Sequence, residues 1–208
     1  MIAIGGGGYV PARILRSFLK QPGSPNIPIQ AIGLSLYEQL PSTHPSAANT
    51  PGEVEQPGTN VTRTHWLDLT SLGEMENLVG KKILIVDEVD DTRTTLEYAV
   101  KELEKDVEAA SKKLGYKGEP TKFSIFVLHV CSSRGLVAVP AEPHANILFV
   151  LQNKNKQKKG RLPDDMLDEN RYLAARTVED VWICYPWEAS DIDEHDEMAR
   201  KQPTTGKA

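Results

Sequence analysis

The apolar positions of this chain fall into short runs separated by stripes at helical spacing. Residues 2–4 (IAI) read as a buried strand, and Gly5 to Gly8 then turn the chain into a helix. Pro11 suits the first helical position, and Ile14, Leu15, Phe18 and Leu19 recur as one apolar face that Gln21, Pro22 and Gly23 close off. Residues 27–36 supply a second strand, residues 62–67 look extended, and residues 82–87 (KILIVD) form the clearest buried strand of parallel type. Beyond Thr94 a helix runs to about Leu114, carried by Leu96, Val100, Leu103, Val107, Ala110 and Leu114, and Gly115 stops it. Residues 123–129 (FSIFVLH) are a further strand and residues 172–175 an edge strand. This alternation predicts an α/β fold, a mostly parallel sheet flanked by helices with ligands bound beyond the carboxyl ends of its strands.

Other segments have no such period. Residues 41–58, rich in Pro, Ser, Thr, Ala, Asn and Gly, read as a long mobile loop, and loops of that length are often functional. Residues 130–152 match neither a clean helix nor an alternating strand. Lys154, Lys156, Lys158, Lys159 and Arg161 form a basic cluster, Leu162 and Pro163 begin a turn, and the tail after Asp191 is expected to fray. The predicted organisation is one domain over residues 1–192 and a polar tail over 193–208.

Composition narrows the classes. With 208 residues, 24 basic against 29 acidic and a net charge of −5, the chain lacks the electrostatic footprint of a protein that works on nucleic acid or an anionic membrane. Its 15 Gly and 14 Pro are too few for a collagen-like or low-complexity chain. Cys131 and Cys184 provide neither a disulfide framework nor metal-site spacing, and no run of eighteen apolar residues or basic leader occurs. The expectation is a cytoplasmic protein without nucleic-acid or membrane partners.

The chemistry concentrates in residues 83–95, ILIVDEVDDTRTT. An apolar strand ends in Asp87 and Glu88, followed by Asp90 and Asp91 and then by Thr92, Arg93, Thr94 and Thr95 at the mouth of a helix. Amides, hydroxyls and a guanidinium at a helix N-terminus make an anion cradle suited to phosphate. The acids just before it would repel a bare phosphate, so they call for a divalent cation or sugar hydroxyls as well. A phosphorylated sugar satisfies both halves. Helix capping explains one such residue but not four acids in five positions. No Walker-type loop occurs, and Gly5 to Gly8 do not complete a dinucleotide fingerprint.

This segment resembles the phosphoribosyl pyrophosphate (PRPP) signature of type I phosphoribosyltransferases. The wider chain is similar to the fungal-type 6-oxopurine enzymes of that family, through residues 2–11 (IAIGGGGYVP), residues 34–38 (LSLYE) and residues 172–188 with their Trp182…Tyr185-Pro-Trp-Glu188 ending. The resemblance implies the type I fold with a small hood, here incomplete, and transfer of 5-phosphoribosyl from PRPP to hypoxanthine, guanine or xanthine. It implies that Asp87 and Glu88 hold the ribose hydroxyls and help place Mg²⁺, that Asp91 is the acid or base at purine N7, and that Thr92, Arg93, Thr94 and Thr95 bind the 5′-phosphate. Gly5 and Gly6 would occupy the pyrophosphate loop in a strained or cis geometry, and Arg63 would touch PRPP on closure of a cover that includes residues 41–58. Trp182 would stack on the purine, Ile183 would offer backbone groups to its edge, Lys154, with Lys156 next, would read its 6-oxo group, and Glu188 would reach the metal or pyrophosphate. A homodimer or homotetramer is implied.

Residues 130–152 depart from that pattern. Joining His129 to Asn153 restores a family-like FVLH-NKNKQKKGRLP, and the 23 intervening residues begin Val-Cys and end Leu-Gln, translations compatible with splice-donor and splice-acceptor sequences. The expectation is a retained intron translated in frame, and a start codon set inside the first strand. Competing readings are a non-catalytic PRPP or nucleotide sensor on the same fold, a plain interaction domain, and a uracil or adenine enzyme. The sensor would be expected to lack the base at Asp91 or the aromatic clamp, the interaction domain leaves the acid cluster unexplained, and the other bases lack the match at 182–188.

Overall fold

The computed structural model describes residues 1–35, 61–66, 75–131, 160–179 and 183–201. In chain order the elements are β1 (Ile2–Ile4), α1 (Tyr9–Leu19), β2 (Gln30–Ser35), β3 (Thr62–His65), a 3₁₀ turn (Met75–Leu78), β4 (Lys82–Asp90), α2 (Thr94–Leu114), β5 (Lys122–Cys131), α3 (Asp164–Asp168), β6 (Tyr172–Val178) and α4 (Ile192–Lys201). The strands form one sheet in the order β3-β2-β1-β4-β5-β6. Every neighbouring pair is parallel except β2 and β3. Among the described residues no helix is long and apolar enough to cross a membrane.

The chain steps from β1 outward to β2, then returns to the other side of β1 with β4 and continues to β5 and β6. Right-handed crossovers in opposite directions place α1 and α2 on opposite faces, and the core divides accordingly. Ile83, Ile85, Ile125 and Val127 pack with Leu96, Val100, Leu103 and Val107 of α2, while Ala3, Val86, Leu84 and Phe126 pack with Ala12 and Leu15 of α1. The crevice beyond the carboxyl ends of β1 and β4 is the switch point at which open α/β sheets bind ligands. Gly5 to Gly8 leave one strand there and Asp87 to Thr95 the other.

Helix α2 matches its predicted limits and, except at the exposed Leu114, its buried stripe, and Gly115 ends it in the left-handed conformation at φ 60. Elsewhere the structure corrects the pattern. In α1 the stripe of Ile14, Phe18 and Leu19 faces outward, Phe18 being 80% exposed, because the helix meets the sheet through Pro11, Ala12 and Leu15. Pro11 is the third helical residue, still inside the first turn, where an N–H is not required. Strand β4 continues past Asp87 to Asp90, since pairing with β5 persists through Val89↔His129 and Asp90↔Val130. Strand β5 runs on to Cys131, opposite Val178, so the first two residues of 130–152 belong to the sheet; the remainder lies outside the described residues. The tail as far as Lys201 forms α4, and the rest of it lies outside the described residues. Asp191 accepts from the amides of Asp193 and Glu194 at 2.9 and 3.1 Å, and those acids complement the dipole of the first turn.

Candidate active site

At the end of β1 the glycine turn is pressed onto β4. A Cβ at Gly7 would overlap the Glu88 carboxyl, and one at Gly8 would overlap the carbonyls of Val86 and Ile4. Gly6 takes φ 92, a conformation open to glycine. No cis peptide occurs among the described residues, so this φ, with trans peptides throughout, makes the bend. Against the turn lie Asp87, almost fully buried, and Glu88, half-buried. Asp87 Oδ1 accepts the Glu88 amide at 3.0 Å, and Glu88 Oε2 is buried with no hydrogen-bond partner. Burial, and then the adjoining Glu88 carboxyl, push the Asp87 carboxyl well above the usual range. A buried acid pair without a cation is unfavourable in isolation and is relieved by hydroxyl donors or a divalent cation.

Three residues on, Asp90 is 1% exposed but fully engaged. Its Oδ2 accepts from Arg93 Nε and Nη2, each at 2.9 Å, and from the Tyr172 hydroxyl. The Arg93 guanidinium also lies 5.0 Å from the centre of the Tyr172 ring. The Arg93 side chain thus turns into the protein to neutralise Asp90, and its buried Nη1 has no hydrogen-bond partner. Asp91 is exposed, and the Thr92 and Thr94 hydroxyls meet at 3.1 Å. Gly160, which sequence reading missed, donates its amide to Thr92 O at 3.1 Å, and a Cβ there would overlap the Arg93 carbonyl. The crevice therefore receives the first-turn amides of α2 and the threonine hydroxyls, not a cationic side chain.

Opposite the acids lies the 183–188 segment. The Tyr185 hydroxyl donates to Glu88 O at 3.0 Å, and His129 Nδ1 lies 2.9 Å from the same hydroxyl. A carbonyl only accepts, so the phenol proton goes to Glu88 and His129 Nδ1–H is the donor. Trp187 stacks on Tyr185 at 4.9 Å and 11°. The Glu188 amide donates to Tyr185 O at 2.9 Å, and burial and the nearby Glu88 raise the Glu188 carboxyl above its ordinary value. His129 and Tyr185 were not singled out from the sequence; the only signal was their position, one at the end of a strand and one inside the aromatic motif. Ile183 is half-buried in this segment. Trp182, Lys154, Lys156 and residues 41–58 lie outside the described residues. Arg63, on β3, is held by α2: it bonds Tyr98 at 3.1 Å, pairs with Glu102 and lies over Trp66, away from the acid pair.

A glycine turn, a buried acid pair and a helix N-terminus thus converge at the switch point. No protein-family model matches the chain. Curated relatives do. Xanthine phosphoribosyltransferase 1 of Saccharomyces cerevisiae is 50% identical over 203 residues, covering 97% of this chain and 82% of the relative. Hypoxanthine-guanine phosphoribosyltransferase of Schizosaccharomyces pombe is 51% identical over 201 residues, with the same coverage. The chain belongs to this phosphoribosyltransferase family. A crystal structure of a hypothetical protein from Neisseria gonorrhoeae with bound ppGpp superposes with a TM-score of 0.59 at 34% identity, covering 96% of this chain and 79% of that one. The phosphoribosyltransferase scaffold is the six-stranded sheet described above, with the acid cluster at its centre.

Proposed function

We propose that this protein is a purine-salvage enzyme that transfers 5-phosphoribosyl from PRPP to a 6-oxopurine, releasing pyrophosphate. The observation that carries the reading is the Asp87–Glu88 pair, buried against the glycine turn and immediately ahead of a helix N-terminus. Vicinal ribose hydroxyls donate to the two carboxylates, while the first-turn amides of α2 and the hydroxyls of Thr92, Thr94 and Thr95 take the 5′-phosphate. For Arg93 this leaves the backbone and not the guanidinium. Gly6 brings its amide to the pyrophosphate, while Gly5, whose own amide is given to the Ile32 carbonyl, shapes the turn, and Asp91, exposed at the crevice, exchanges a proton at purine N7.

Mg²⁺ suits this donor set. Glu88 has an orphaned buried oxygen, and Mg²⁺ binds through one or two carboxylates together with substrate phosphate oxygens. Among the described residues no group of three or more His, Cys, Asp or Glu forms a dedicated cage. Asp87 and Glu88 would hold it in this reading, with Glu188 reaching the metal or the pyrophosphate, and when bound it would neutralise charge that develops on the leaving pyrophosphate. As the bond to C1 breaks, cationic character on the ribose is met by the Asp87 and Glu88 carboxylates.

Lys154 and Trp182 complete the purine site in this reading, with Ile183 beside it, Arg63 closes on PRPP, and the protein works in the cytoplasm as a homodimer or homotetramer. Residues 130–152 are a retained intron that lowers activity and solubility. The ppGpp-bound relative supports one further reading, a nucleotide sensor, since that ligand also joins guanine, ribose and phosphates. One assay separates them: PRPP-dependent nucleotide formation with hypoxanthine, guanine, xanthine and adenine, for this chain and for a version in which His129 is joined to Asn153. Turnover of at least one 6-oxopurine and none of adenine is expected; no turnover by either version, with PRPP still bound, establishes the sensor instead.

A further inference from the structure

Arg93 is held at φ 66 and ψ 0 at the cap position of α2, a region that glycine enters freely and arginine does not. A strained residue persists only where its surroundings fix it. Here the fixing group is Asp90, the last residue of β4, so the ion pair closes the corner between strand and helix. Tyr172 opens β6, two strands away, and contributes its hydroxyl to Asp90 and its ring face to Arg93. From the other side the Gly160 amide holds the Thr92 carbonyl.

We infer that Asp90, Arg93 and Tyr172 form a pin that fixes the orientation of the 91–95 corner, and that Arg93 is a positioning residue for this loop rather than a phosphate ligand. The side chain is almost fully enclosed, its guanidinium spent on Asp90 and on the Tyr172 ring face, with Nη1 buried and without a hydrogen-bond partner. The pin ties the anion-binding amides to the β6 edge of the sheet, so they are already aimed before a ligand arrives. The kinetic half of this inference rests on the PRPP site proposed above; the structural half does not.

The test measures amide hydrogen exchange in the ligand-free protein, and KM for PRPP and for the purine, in wild type, Tyr172→Phe and the double variant Asp90→Leu/Arg93→Gly. The double variant removes both charges together and places glycine where φ is positive, so it folds without an orphaned carboxylate. Exchange of the Gly160 and Glu97 amides, which donate to the carbonyls of Thr92 and Arg93, is expected to accelerate about tenfold or more in both variants, with residues 84–87 unchanged. KM for PRPP is expected to rise about 5- to 10-fold, with KM for the purine and kcat within about twofold of wild type. Unchanged exchange in both variants overturns the pin. A rise in KM for PRPP without faster exchange overturns it as well, and makes Arg93 a ligand. If wild type does not bind PRPP while exchange still responds, the substrate reading fails and the pin stands.

Discussion

Asp87 and Asp90 sit three residues apart on the same strand, both almost sealed from solvent, and the protein treats them oppositely. Asp90 is satisfied from within, by Arg93 and by a tyrosine from the edge strand. Asp87 adjoins a second carboxyl, Glu88, beneath a turn that leaves no room for a Cβ at Gly7 or Gly8. Position along a sequence cannot separate these two aspartates, because both follow the same apolar run. Charge balance in three dimensions does. A buried carboxylate with its own cation is architecture, and one without a cation is built for something that arrives.

The largest test of this contrast compares Asp90→Ala with Asp87→Ala in urea unfolding. Removing Asp90 leaves the Arg93 guanidinium buried and unpaired, a loss expected to cost about 3–5 kcal/mol. Removing Asp87 relieves a repulsion and is expected to leave stability unchanged or raised, while abolishing PRPP binding measured by calorimetry. Equal destabilisation of the two variants breaks the distinction.

Next in size is Asp91→Asn. Asp91 follows the locked Asp90 but is exposed, so its substitution is expected to lower kcat about 10²- to 10⁴-fold, as loss of a general acid or base does, with the melting temperature unmoved. Unaltered turnover removes Asp91 from the proton transfer at N7.

What was legible beforehand follows the same division. The strands at β1, β4 and β5, the helix from Thr94 to Leu114 and the acid cluster at a strand end all rest on local spacing, and spacing is written in the chain. The ion pair that holds the Arg93 guanidinium was not legible, because its partners, Asp90 and Tyr172, meet it only after β6 has packed at the sheet edge. The apolar stripe of α1 misled for a related reason: a helical period shows that a face exists but not which side meets the sheet, and Ala12, a small residue, makes the closest contact. Helix α4 was missed because acidic residues in a first turn look like a solvated tail until Asp191 is seen capping them. Gly160 carried no local pattern, and His129 and Tyr185 only their places at a strand end and inside the aromatic motif, since each matters through contact with a distant segment.

A third test probes the turn itself. Gly7→Ala forces a methyl into the Glu88 carboxyl, and overpacking of this kind costs about 1–3 kcal/mol. The expected result is a modest loss of stability together with a weaker grip on PRPP, because Glu88 has to swing away from the ribose. Thermal melts and KM for PRPP check the two parts. Gly6→Ala, where a Cβ would meet nothing but the φ of 92 is unfavourable, is expected to cost stability without displacing Glu88, and so separates strain from collision.

The smallest expected effect is the dependence of stability on pH. The folded Asp87 carboxyl titrates above its unfolded counterpart, so its contribution is fully present below the unfolded value and is lost as pH rises through the folded one. Ionised Asp87 therefore weakens the ligand-free protein at alkaline pH, where its charge is held beside Glu88 and away from water. Asp87→Asn carries no such charge and is expected to melt higher than wild type near pH 8, with the gap closing toward about pH 5. A ligand that brings hydroxyls or a divalent cation to Asp87 acts in the reverse sense, stabilising the ionised form. Added Mg²⁺ and PRPP are then expected to raise the wild-type melting temperature more at about pH 8 than at about pH 5, and to do so much less in Asp87→Asn. A parallel pH response of the two proteins, with or without ligand, places the unusual carboxyl elsewhere and removes Asp87 as the acid held in reserve.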